Sequence, residues 1–365
     1  MKVLQPIYLF PLVIASLILG IAGGWIRLGY LEYNVTGSAA NHGLLMVGGF
    51  LGTLISLERA MVMKHKAWLL VPMLSGMSIP VLLFLGKPVL GNGLLFSASV
   101  GLIAIMYLQS VRHQEIYQFI MSVGAISWML GNFMILYTDF IASAVPWWVG
   151  FILFTIVGER LELSKFLPTP KIAKNALIWL LALFFLGMWT PFHGIGNWLM
   201  GTSVIFISFW LLHYDMAKIA SKKENQFKYI GIGLRVGYVW LTLHGIILCF
   251  MENHPLYYDL FVHTFFLGFT FSMIWAHAPI ILPMVLNIKH NPYHPILWIG
   301  WAVFQISLLG RVLSSIVFNP DLRLWFGVIN GWTILLMFGL MVIIIIHKIK
   351  RDYSLKRKSS VQEFV

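Results

Sequence analysis

The chain has 365 residues, 59% of them hydrophobic and only 10% charged, with a net charge of +12. A soluble domain carries roughly 25% charged residues, so a water-covered enzyme, a nucleic-acid binder and a disordered scaffold are all excluded. A single cysteine, Cys249, excludes a disulfide framework, a thiolate zinc site, an iron–sulfur cluster and a CxxCH haem attachment.

A helix needs about 20 apolar residues to cross a ~30 Å hydrocarbon core. Twelve such runs follow along the chain, at about 7–29, 41–62, 67–86, 88–109, 116–137, 145–165, 172–190, 195–213, 229–251, 258–286, 295–317 and 324–347. Backbone groups in lipid must bond internally, so the runs are expected to be helices. The first run is long, has no small-residue cleavage pattern and contains Arg27 near its end, which predicts a retained first helix rather than a signal peptide. Only 30–40, 166–171 and 214–228 leave room for a loop, so 1–347 reads as one transmembrane helical domain and 348–365 as a basic, frayed tail.

The Lys and Arg residues sort by side. Eighteen fall on the side that holds both termini, among them Lys64, Lys66, Lys165, Lys218, Lys222 and Lys348. The other side has only Lys87 and Arg323, and five (Arg27, Arg59, Arg160, Arg235 and Arg311) lie within spans. The positive-inside rule predicts cytoplasmic termini. The fold class expected is therefore all-α, a polytopic bundle of about twelve transmembrane helices. One echo stands out: helix 2 ends on Glu58-Arg59 and helix 6 on Glu159-Arg160, a spacing that two six-helix halves would not produce.

Ionisable groups at bilayer depth need partners or cavities. Glu58-Arg59, Glu159-Arg160 and Arg235 are expected to bridge helices 2, 6 and 9 or to line a proton or anion path. Arg27 and Arg311 have no carboxylate in their own spans, which suits either a bound anion such as a haem propionate or carbonyl capping. His42, His244 and His263 fall at one depth on helices 2, 9 and 10, predicting a shared metal or haem site. Met46, one turn from His42, is a weaker soft ligand. His277 follows His263 by fourteen residues, about 21 Å along the same helix face, so it either ligates a second haem or pairs with Glu58, Glu159 or a carbonyl. Gly48, Gly49 and Gly52 on helix 2, and Gly231, Gly233 and Gly237 on helix 9, admit a close backbone or a flat ring.

Three patches resemble the NnrS-like membrane proteins, a bacterial family described as containing haem and copper and associated with nitrosative stress. They are the glycine-rich stretch from His42 to Gly52, the segment Gly237-Tyr238-Val239-Trp240-Leu241, and His263-Thr264-Phe265-Phe266-Leu267-Gly268. Leu44 and Leu45 stand where that family has a second His and a Glu. Trp275-Ala276-His277-Ala278-Pro279 replaces its Gly-His-Thr-Gly-Arg patch. The His-Gly-x-x-Met of helix 2 is also similar to haem–copper oxidase and nitric oxide reductase subunits, whose paired His on one helix is absent here.

The resemblance implies b-type haem, one or two, with copper as a further option. His42, His263 and His277 would be ligands, in a bacterial cytoplasmic membrane. Expected partners are the bilayer and a small diatomic molecule or redox protein, with no nucleic acid. The roles that fit are membrane electron transfer and the handling of nitric oxide. A secondary transporter coupling through the buried Glu and Arg is the alternative, and an assembly protein for a respiratory complex is a third.

Overall fold

The computed structural model describes residues 5–32, 37–286 and 288–362. Among them are twelve helices long and apolar enough to cross a membrane, and no strand. We number them α1 Pro6–Leu28, α2 Leu44–Met61, α3 Lys66–Leu83, α4 Pro88–His113, α5 Ile116–Thr138 and α6 Ile141–Ser164. The second six are α7 Lys171–Met188, α8 Ile195–Tyr214, α9 Asn225–Phe250, α10 Tyr257–Val285, α11 Leu297–Ile316 and α12 Pro320–Asp352. Each sequence run finds its helix, because length and continuous apolarity together leave no other way to satisfy the backbone.

Short connections make chain neighbours pack as antiparallel pairs. α3 lies on α4, α5 on α6, α8 on α9, and α11 on α12. The first and last helices also touch and close the bundle, with the Trp25 and Trp332 rings 5.0 Å apart. The most apolar helix, α12, is among the least buried, whereas α2, α6 and α10 are the most buried three. These three stand four helices apart in the chain. The Glu-Arg echo of α2 and α6 thus follows a spacing of four helices, and its two copies meet in the middle of the bundle.

Two central helices depart from α geometry. α2 is wound as a π-helix over Leu44–Gly52 before becoming α-helical, and α10 does the same over Thr264–Phe271. Each π segment begins within two residues of a histidine, His42 or His263. Such wide turns are rare and concentrate at functional sites. α10 is held by a polar clamp: Trp240 Nε1 donates to Gln305 Oε1 at 2.6 Å, and Gln305 Nε2 donates to Ser272 Oγ at 2.9 Å.

The final helix does not stop at 347 as the sequence suggested. It runs unbroken from Pro320 to Gln362, 43 residues or about 65 Å. Lys348 fastens it by donating from Nζ to the carbonyls of Asn291 (2.8 Å) and Tyr293 (3.0 Å). Residues 363–365 of the expected tail lie outside the described residues.

Candidate functional site: two cavities on one axis

α2, α6 and α10 enclose two cavities, one toward each end of the bundle. The larger, about 1470 Å³, lies toward the end that carries Lys87 and Arg323, here the lysine-poor end. Its walls are mostly apolar and include Trp25, Trp147, Trp148 and Trp189. Its charged and imidazole side chains are His42, His193, His263, Asp139, Asp259, Arg311 and Arg323, with Arg27 exposed at the rim. It exceeds the ~300–1,000 Å³ usual for small-molecule pockets.

His42 stands at the entry of α2, with its ring against α1. Its Nδ1 lies 2.6 Å from the Gly20 carbonyl oxygen. A carbonyl only accepts, so Nδ1 carries the proton and the neutral ring presents Nε2 as a bare lone pair. The ring fits because Gly24 has no Cβ; one built there would stand 3.1 Å from His42 Cε1. Arg27 and Arg311 are close enough for their charges to act on His42.

His263 is arranged in the same way from α10. Its Nδ1 donates to the Asp259 carbonyl oxygen one turn back at 2.8 Å and lies 3.1 Å from the Asp259 carboxylate. Arg311 Nη2 donates to Asp259 Oδ1 at 3.2 Å and lies almost equally far from the two His263 ring nitrogens, 3.3 Å from Nδ1 and 3.2 Å from Nε2. Arg323 stands 3.8 Å from the second Asp259 oxygen. Arg311 therefore does have a carboxylate partner. The sequence reading looked for one on α11, and it comes from α10.

The third predicted ligand turns away. His244 is fully buried but does not line the cavity. It packs beside Phe261 and Phe265, ring centroids 5.2 and 5.1 Å away, with Nδ1 3.2 Å from Thr264 Oγ1. Among the described residues, no three His, Cys, Asp or Glu side chains gather as a metal ion would need. The three-histidine metal site expected from depth alone is thus corrected: His42 and His263 share a cavity, and His244 stands outside it. The helix rotation that separates them is not encoded in depth. Met46 also lines the large cavity.

The smaller cavity, about 100 Å³, lies toward the lysine-rich end. Glu58, Glu159, Arg160 and His277 line it. Arg59 bridges the carboxylate of Glu159 and lies 3.7 Å from that of Glu58, as expected for α2 and α6. Arg235 does not join them: it is exposed and lies 3.5 Å from Ser221 Oγ. Arg160 instead faces Tyr238, whose hydroxyl donates at 3.0 Å to the buried Asp215, a carboxylate that sequence reasoning passed over as a loop residue. His277 Nδ1 donates to the Met273 carbonyl at 2.9 Å. This space is far smaller than the large cavity, and of the roles the sequence left open for His277 the structure shows the bond to a carbonyl.

An aromatic layer divides the two cavities. Phe50 of α2 stacks on Phe271 of α10, centroids 5.8 Å apart, and meets Phe338 of α12 edge-on at 6.3 Å.

Fold and site define a class: a strongly apolar bundle whose described residues form twelve long helices, with one cavity toward each end of its three most buried helices. The chain belongs to the family described as a domain of unknown function (DUF8744), whose model matches residues 6–346. No curated protein and no solved structure matches it.

Proposed function

We propose that the protein is a multi-pass protein of a bacterial cytoplasmic membrane, termini inside, that binds one b-type haem in the large cavity. His42 and His263 would be its ligands. The observation that carries this reading is the paired tautomer. Both rings have Nδ1–H committed to a carbonyl, which leaves Nε2 as the ligating atom, and both stand at the start of a π-wound central helix. The remainder of the cavity suits the same group. Its walls are apolar and aromatic, and Arg311, Arg323 and Arg27 offer cations to two propionates. In the arrangement described, Arg311 stands against both Asp259 and the His263 ring. With Nε2 ligating, Arg311 would turn to Asp259 and the propionates. Haem would supply one-electron chemistry or diatomic binding, matching a role in membrane electron transfer or nitrosative stress, as in NnrS-like proteins. Copper lacks a comparable set of ligands among the described residues.

An absorption spectrum of protein purified from haem-replete cells tests this. A Soret band with a reduced-minus-oxidised α-band is expected, and its absence from folded protein would overturn the reading. The competing reading, a secondary transporter, draws on the two cavities that face opposite ends across a thin layer. It predicts folded protein without a Soret band.

A further inference from the structure

The small cavity has features the haem reading leaves unused. It is polar in the middle of an apolar bundle, and two buried residues that line it each carry an atom without a hydrogen-bond partner. Thr270, 2% exposed, has no bond at Oγ1, and Arg160, 4% exposed, has none at Nε. A buried polar atom without a partner is costly, so such atoms mark places where water completes the bonding. At ~30 Å³ per molecule, the 100 Å³ space takes about three waters.

The cavity is graded along its length. Glu58 and Glu159 stand toward the lysine-rich end with side chains 22% and 27% exposed, whereas Arg160 and Thr270 are buried. His277 lies on α10 beyond them. Its Nδ1–H is fixed on the Met273 carbonyl, which leaves Nε2 as the free base. The charged groups that face it are Glu58 from α2 and Glu159 and Arg160 from α6, whereas α1 and α12 contribute only apolar side chains such as Phe10, Val13 and Phe338. Beyond it stand Thr270 and then the Phe50–Phe271 layer.

We propose that this cavity is a hydrated proton-relay site opening toward the lysine-rich end, with His277 as the group that accepts and returns the proton and the Phe50–Phe271 pair as the dry barrier above it. A proton passes from a hydronium ion at the Glu58–Glu159 mouth to His277 Nε2, leaving water. It returns from the same nitrogen to the next water, and Nδ1–H keeps its bond throughout. No electron moves. The proposal rests on the bundle spanning a membrane and not on haem.

The test is proton flux into phosphatidylcholine liposomes that hold the purified protein and an internal pH dye, driven by a potassium gradient with valinomycin. Wild type is expected to be tight, because the aromatic layer is dry. The double variant Phe50→Ala, Phe271→Ala is expected to leak, and adding His277→Leu should cut the leak at least tenfold. Adding His244→Phe instead should leave it unchanged. A leak indifferent to His277→Leu, or a folded double variant as tight as wild type, overturns the proposal.

Should the double variant not fold, wild type decides. Water-edited solid-state NMR on 15N-histidine protein should transfer water polarisation to His277 within milliseconds, and no transfer overturns the proposal. A Soret band without leak removes the relay alone, and a leak without a Soret band removes the haem alone.

Discussion

The two ends of the central three-helix set solve different problems with the same helices. Toward the lysine-poor end, α2, α6 and α10 line a wide, mostly apolar cavity walled by tryptophans, where His42 and His263 present one nitrogen each and the charged side chains are Asp259 with its arginines, Arg27 and Asp139. Toward the lysine-rich end they close to a space about one-fifteenth as large, crowded with Glu58, Glu159 and Arg160. Width with little charge suits a large, flat, mostly apolar ligand. Narrowness with dense charge suits water. The difference shows that buried histidines in one chain need separate readings: His42 and His263 belong to the first environment, His277 to the second and His244 to neither.

The sharpest way to break that comparison is to remove the histidines singly. His42→Ala and His263→Ala are each expected to abolish most Soret absorbance, while His277→Ala retains it. Equal losses from all three would erase the distinction between the ends. The next largest effect should come from Glu159→Ala, which breaks the bridge from α2 to α6 and leaves Arg59 with Glu58 of its own helix. Breaking a buried pair costs about 3–5 kcal/mol. With Glu159 27% exposed, roughly 1–2 kcal/mol after screening is the expectation, read as a lower melting temperature in detergent with the haem spectrum intact.

Packing between the central helices can be probed at Gly52, where an added Cβ would stand 2.3 Å from the Trp128 ring. Gly52→Ala should destabilise by about 1–3 kcal/mol. Gly93→Ala on α4, with no atom within 4 Å of the new Cβ, should stabilise by roughly 0.5–1 kcal/mol. The smallest effect is assigned to His244→Phe. It places an apolar ring among Phe261 and Phe265 and removes a buried Nε2 that has no partner. Stability is expected to stay within about 1 kcal/mol of wild type, in the range of volume-conserving swaps, with unchanged Soret absorbance. Haem loss in this variant would return His244 to the site.

Much of this architecture is written in the sequence, because helix position and depth follow from apolar run length. The run at 116–137 became Ile116–Thr138, and the one at 195–213 became Ile195–Tyr214. Rotation about the helix axis is not written there in the same way. His244 and His263 lie at similar depth, yet one faces Phe261 and the other a cavity. The π segments carry no periodic signature in a run that is apolar on all sides. Asp259 was within reach, since an Asp four residues before a His on a helix places the two side chains together. It was missed because partners for Arg311 were sought on its own helix. Asp215 gave no such signal, as its partners Tyr238 and Ser164 come from distant parts of the chain.

The stacked Phe50–Phe271 layer has an electrical consequence. For a bundle standing in a bilayer with water in both cavities, the potential of each compartment would be carried inward, and most of the voltage would fall across the thin aromatic partition. At ~2.3 kcal/mol per elementary charge per 100 mV, a charge crossing those two rings would do nearly the whole work of crossing the membrane. The partition is then the place where membrane potential and chemistry in this protein meet.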